Sequence, residues 1–212
     1  MKIFFLLLLI SSNLSAATIL FIGDSHSVGP FGWTFDQNLR DGGHQVASYA
    51  SCGSYPRWWT NSQTTSCGFF SRNLNGTIVQ IQQSPTPLMD DLLSEIKPDV
   101  VVMEFGGNYV TTPNDDFVVN DIKAFIAKIK ATGAACFWIT NPDTRNNRVH
   151  IPRILGLIKK GVGNDCPIFE SHLVTRYPDT GGDGTHYWNG FGTSIAIAWA
   201  NKAFEAFKTH WK

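Results

Sequence analysis

The sequence predicts a single domain built as a three-layer α/β/α sandwich around a mostly parallel central sheet. Two observations carry this. Short runs rich in β-branched and aromatic residues recur from end to end, alternating with stretches whose apolar residues follow helical spacing. Several of these runs also stop abruptly in glycine and small polar residues, the kind of corner where open α/β sheets place their ligands.

The chain opens with a leader. Residues 1–10 carry one positive charge and then an uninterrupted apolar run, and residues 11–17 are small and polar, which is the pattern of a signal peptide. Ser15 and Ala17 favour cleavage before Thr18, with cleavage after Ala16 as the alternative. The leader is too short to span a bilayer and no later apolar stretch is long enough, so an exported, soluble domain of about 195 residues is expected. That length suffices for a sizeable core.

The first strand, residues 19–22, ends in Gly23-Asp24-Ser25 and offers Ser25 as a candidate nucleophile at the carboxyl edge of the sheet. A helix over 31–40, closed by Asp41-Gly42-Gly43, leads to a strand over 45–49 that runs into Cys52-Gly53. Residues 54–87 read as one long loop, with Tyr55-Pro56-Arg57-Trp58-Trp59 at its start; aromatic content argues that it is ordered. A helix over 88–96 stops at Lys97-Pro98, and residues 99–105 form the clearest buried strand, ending in Gly106-Gly107-Asn108. A helix over 115–131 with Gly133 as its stop, a strand over 134–140 and a Pro- and Asn-rich loop over 141–148 follow. A helix over 151–160, a strand over 167–170, a loop over 179–188 and a final helix over 190–208 complete the alternation.

Lysine plus arginine and aspartate plus glutamate number 17 each, without clusters, which excludes the electrostatic footprint of a nucleic-acid or anionic-membrane binder. A monomer acting on a small or neutral partner is expected. The four cysteines, Cys52, Cys67, Cys136 and Cys166, point in an exported chain to disulfides, since no Cys-x-x-Cys pair or Cys/His cluster has metal-ligand spacing. Local pairing, Cys52 with Cys67 and Cys136 with Cys166, closes the aromatic loop and ties neighbouring parallel strands. Asn75-Gly76-Thr77 is a turn, or a glycosylation acceptor where the cell has that machinery.

Asp183-Gly184-Thr185-His186 sets a carboxylate and an imidazole three positions apart, so that Asp183 can orient one imidazole nitrogen while the other faces a nucleophile. Gly53 and Asn108 each follow a predicted strand and supply the two kinds of donor, a backbone N–H and a side-chain amide, that hold a developing oxyanion. In this order the blocks resemble the SGNH hydrolase family, also called GDSL-type esterases and lipases, over residues 18–210. The resemblance implies an SGNH, flavodoxin-like sandwich with Ser25, Asp183 and His186 as the catalytic residues and Gly53 and Asn108 as the oxyanion hole beside the Ser25 amide. It implies hydrolysis of carboxylic esters with no cofactor and no metal.

Two positions depart from the family pattern: His26 stands where leucine commonly follows the serine, and Tyr109 where aspartate commonly follows the asparagine. Both are expected to line the site and to bear on substrate choice. Arg57, Trp58, Trp59 and Trp188 adjoin the catalytic blocks and are candidate substrate-binding residues, whereas Trp138 and Trp199 fall in core patterns. With export, these loops suggest removal of acetyl groups from an extracellular or cell-wall glycan; a lipase, lysophospholipase or thioesterase of the same fold is the alternative. Two rivals differ in class: a metal phosphoesterase opening on Asp24-x-His26, for which further His and Asp clusters are lacking, and a non-catalytic glycan binder.

Overall fold

The computed structural model describes residues 16–211. The leader read at residues 1–17 lies, apart from its last two residues, outside them. The chain runs β1 (Thr18–Gly23), α1 (Ser25–Val28), α2 (Pro30–Asp41), β2 (Gln45–Ser51), α3 (Pro56–Asn61), β3 (Thr64–Thr65), β4 (Phe69–Arg72), β5 (Ile78–Ile81), β6 (Ser84–Pro85) and α4 (Met89–Ile96). It continues through β7 (Val100–Phe105), α5 (Asp115–Ala131), β8 (Ala135–Thr140), α6 (Ile151–Val162), β9 (Ile168–Phe169) and α7 (Phe191–His210).

Seven strands form one sheet in the order β5-β4-β2-β1-β7-β8-β9, and β3 pairs with β6 apart from it. The five strands from β2 to β9 in that order are parallel, with Gly23 of β1 opposite Ala50 of β2 and Glu104 of β7. The chain steps from β1 to β2 on one side and later returns to β7 on the other, so the order reverses at β1. A crevice opens there at the carboxyl ends of the strands.

Because side chains alternate across a strand, β1 feeds two cores. Leu20 and Ile22 pack with Trp59 and the inner faces of α4, α5 and α6, while Ile19 and Phe21 pack with Phe35 of α2 and Trp199 of α7. Phe31 stacks on Trp199 with ring centroids 3.6 Å apart. Helices thus cover both faces, as parallel strands buried on two sides require.

Residues 54–87 are not one loop. They hold α3 and the antiparallel hairpin of β4 and β5, which extends the sheet past β2, with Phe69 opposite Ile81 and Arg72 opposite Ile78. All four β5 residues are exposed, so no apolar alternation marks that strand. A buried carboxylate ties the hairpin to α2: Asp36 accepts from Ser48 Oγ at 2.6 Å, Arg72 Nη1 at 2.8 Å and Arg40 Nε at 3.0 Å. Removing one partner of such a buried pair costs about 3 to 5 kcal/mol, because the other charge is left uncompensated.

Cys52 is bonded to Cys67 and Cys136 to Cys166, the pairing expected from the sequence. The first bond closes a separation of 15 residues between the end of β2 and the start of β4. Replacing both Cys52 and Cys67 with serine is expected to lower stability by about 3 kcal/mol, the chain-entropy value for a loop of that size. Urea unfolding checks this, and an unchanged midpoint would show that the bond constrains nothing in the unfolded chain.

Candidate active site

Ser25 is the first residue of α1, directly beyond the end of β1. Asp24 is the N-cap: its Oδ1 accepts from the His26 N–H at 3.0 Å. As the leading helical residue, Ser25 presents a backbone N–H that the helix itself cannot satisfy. Its Oγ lies 3.0 Å from His186 Nε2, and His186 Nδ1 lies 2.7 Å from Asp183 Oδ2. Ser25, His186 and Asp183 therefore form one line of hydrogen bonds, although the serine and the histidine are 161 positions apart.

Asp183 is fixed in its role by its own backbone. Its Oδ1 accepts from the N–H of Thr185 at 2.8 Å and of His186 at 2.7 Å, which leaves Oδ2 for the imidazole. Partial burial works against ionisation, but these N–H bonds and the His186 ring hold its pKa down at about 2. The loop is braced from the segment after β8, where Asn146 Nδ2 donates to the Asp183 carbonyl at 2.9 Å and the Asn146 N–H to the Gly184 carbonyl at 3.1 Å. Gly184 has a φ of +84°, and a Cβ there would come within 2.3 Å of Asn146 Oδ1; only glycine fits.

Asn108 stands in a 3₁₀ turn after β7, and its Nδ2 donates to the Ser54 carbonyl at 2.9 Å and to Asp24 Oδ2 at 3.2 Å. Gly53 follows β2 with a φ of +85°. It adjoins Ser54 but is not in the wall of the cavity at Ser25. That cavity, about 120 Å³, is lined by Ser25, His26, Asn108 and His186 together with Asn141, Thr144 and Asn147. The last three were missed as site residues. Their signal was available, since residues 141–148 leave the carboxyl end of β8 at the same sheet edge as the other blocks.

A second feature lies beneath Ser25. Glu104, the one charged residue of β7, is fully buried and accepts from Ser27 Oγ at 2.9 Å. Asp24, whose N–H donates to the Glu104 carbonyl at 3.2 Å, is also buried, and the two carboxyl groups are close enough to couple electrostatically. Burial raises Asp24 to about 6. Burial and then the adjacent Asp24 charge push Glu104 well above the usual carboxylate range. The pair thus retains a proton that the unfolded chain gives up. The contribution of Asp24 is complete below about pH 4 and is lost as the pH rises through about 6, and that of Glu104 is lost at still higher pH, as its own raised pKa is passed. Glu104→Gln removes one titrating member of the pair, so the melting temperature of the variant minus that of the wild type should become more positive from pH 5 to pH 8. A constant difference would show that Glu104 does not titrate differently in the folded protein.

The remaining residues named from the sequence fall into four groups. His26 lines the cavity, and burial, followed by the neighbouring His186 charge, pushes its pKa down to about 3, so it is a neutral wall. Trp188 lies face to face with the His186 ring, centroids 4.2 Å apart. Trp59, expected to face substrate, is instead fully buried and donates its indole N–H to Ser54 Oγ at 3.3 Å, because α3 turns that face into the core. Tyr109 is likewise buried, donating to Asp121 at 2.6 Å, and does not line the site. Arg57 reaches away over the Phe117 ring, and half-buried Trp58 packs beside Tyr55; neither lines the cavity at Ser25. Among the described residues no three His, Cys, Asp or Glu side chains gather as a metal-binding group, and no helix is long and apolar enough to cross a membrane.

No family model and no curated protein matches the sequence. Solved structures do. The chain is similar to TesA, with 17% identity and a TM-score of 0.58 over 89% of this chain and 98% of that one. It is similar to a peptidoglycan O-acetylesterase, with 11% identity and a TM-score of 0.58 over 91% and 90%. An acetyl xylan esterase matches at 14% identity and a TM-score of 0.55 over 89% and 98%. At such identities the likeness establishes the α/β/α fold with its mostly parallel sheet.

Proposed function

We propose that the protein is an exported serine ester hydrolase of the SGNH family that removes small acyl groups, chiefly acetyl, from a glycan. The observation that carries this reading is the line Asp183–His186–Ser25, with contacts of 2.7 and 3.0 Å, at the switch point of the sheet. A serine hydroxyl is a weak nucleophile until a base takes its proton, and His186 is in position to do so. As Ser25 Oγ bonds to the ester carbonyl carbon, its proton passes to His186 Nε2 and the carbonyl electron pair moves onto oxygen. Asp183 stabilises the imidazolium.

The Ser25 N–H and the Asn108 amide hold the oxyanion; Gly53, expected from the sequence to share this role, stands outside the cavity wall. Asn108 commits one N–H to the Ser54 carbonyl, and the other, 3.2 Å from Asp24, turns to the substrate oxygen. When the tetrahedral species collapses, the C–O bond to the alcohol breaks and the alcohol leaves with the proton from His186. Water then attacks the acyl carbon as His186 takes its proton, and when the C–O bond to Ser25 breaks the acid leaves and His186 returns the proton to Ser25 Oγ.

The cavity at Ser25 supports a short acyl group, because about 120 Å³ walled by asparagine, threonine and histidine has room for acetyl and no apolar channel for a long chain. The fold shared with two acetylesterases supports the same reading. Export is supported by the leader pattern and by two disulfides, which persist in oxidising compartments. Turnover of nitrophenyl esters from acetyl to dodecanoyl tests the acyl assignment. Activity should be greatest for acetyl and fall beyond butyryl; a steady rise with chain length would favour the lipase alternative.

A further inference from the structure

A larger groove of about 450 Å³, lined by Trp188 but not by His186, opens between the start of α2 and the β4–β5 hairpin. Its walls include Trp33, Phe69, Gln80, Ile81, Gln82 and Trp188, and no Lys, Arg, His, Asp or Glu lines it. Trp33 is 42% exposed. Trp188 is held as a partition: one face covers the His186 ring, and its edge presses on Gly29, where a Cβ would stand 2.6 Å from Trp188 Cδ1. Gly29 caps α1, the helix that begins with Ser25, so groove and nucleophile are joined through one short helix.

Resting on the ester-hydrolase reading, we propose that this groove binds the alcohol portion of the substrate, and that this portion is an uncharged oligosaccharide. His186 gives its proton to the departing alcohol, which must therefore lie beside His186, where Trp188 and the groove begin. The acyl group occupies the small polar cavity on the other side. Indole faces suit the C–H faces of pyranose rings, and the Gln80 and Gln82 amides suit their hydroxyls. An uncharged wall gives no counter-ion to a uronate or a phosphate, and burying an unpaired charge there is costly. The volume lies in the range of sites that enclose a small ligand.

Calorimetric titration of the Ser25→Ala protein, which cannot consume its ligand, with xylotetraose, chitotetraose, tetragalacturonate and lysophosphatidylcholine tests this. At least one neutral tetrasaccharide should bind, more tightly than the anionic glycan or the lipid. Adding Trp33→Ala or Gln80→Ala should weaken that binding, by about tenfold for the tryptophan. No binding of either neutral glycan, tighter binding of tetragalacturonate or of the lipid, or affinity unchanged in both double variants would overturn the proposal. Hydrolysis of nitrophenyl acetate by the wild-type protein separates the two readings. Turnover without glycan binding removes the groove assignment alone, whereas glycan binding without turnover keeps the groove and removes the hydrolase.

Discussion

Ser25→Ala is expected to reduce kcat for acetyl ester hydrolysis by about five to six orders of magnitude while leaving the melting temperature within a few degrees. The factor is that seen when the nucleophile of a serine triad is removed, where the residual rate comes from the oxyanion site and binding alone. The fold should tolerate the change because the hydrogen bond of Ser25 Oγ goes to His186, in the loop before α7, and not to a core element. Alanine also suits a helical position. Steady-state kinetics with nitrophenyl acetate and thermal unfolding check both parts. Turnover within tenfold of wild type would sink the assignment of Ser25.

Asp183→Asn should cost about four orders of magnitude in kcat, with a much smaller effect on KM. The reason lies in which atoms can accept. Asp183 Oδ1 receives two backbone N–H groups, so the oxygen of an asparagine is drawn to that side and its NH₂ is turned towards His186 Nδ1. Nδ1 must then act as acceptor, which places the ring proton on Nε2, and a protonated Nε2 cannot take the proton of Ser25. Since the backbone bonds to Oδ1 survive, the loop and the stacking of Trp188 on His186 should stay in place. A variant retaining a tenth of wild-type kcat would mean that Asp183 does not set the tautomer.

The parallel sheet was legible because β1 and β7 are buried on both faces and therefore appear as unbroken apolar runs between turn residues. The placing of Ser25, Gly53 and Asn108 was legible because each follows a strand, and strands of a parallel sheet deliver their carboxyl ends to one edge; Asp183 and His186 were legible from their own spacing in the loop before α7. Three things were not. The β4–β5 hairpin is short, lies at the sheet margin and exposes all of β5, so neither length nor alternation distinguishes it from a loop. Trp58 and Trp59 are adjacent in sequence, and only the turn of α3 decides that Trp59 enters the core while Trp58 stays half-buried. The carboxyl pair of Asp24 and Glu104 joins residues far apart in sequence, and in β7 the glutamate reads as a lone polar break in an apolar strand. It is the parallel register, with Gly23 opposite Glu104, that brings the acid under Ser25.

The most direct test of Ser25 as a nucleophile activated by His186 is covalent capture with a nitrophenyl alkylphosphonate, read by intact mass and peptide mapping. One adduct per chain is expected, on Ser25, with loss of esterase activity in proportion to labelling, no adduct in Ser25→Ala, and labelling slowed by several orders of magnitude in His186→Ala. An adduct on another residue that accounts for the lost activity, or ester hydrolysis that persists at full rate with Ser25 fully labelled, would contradict the account.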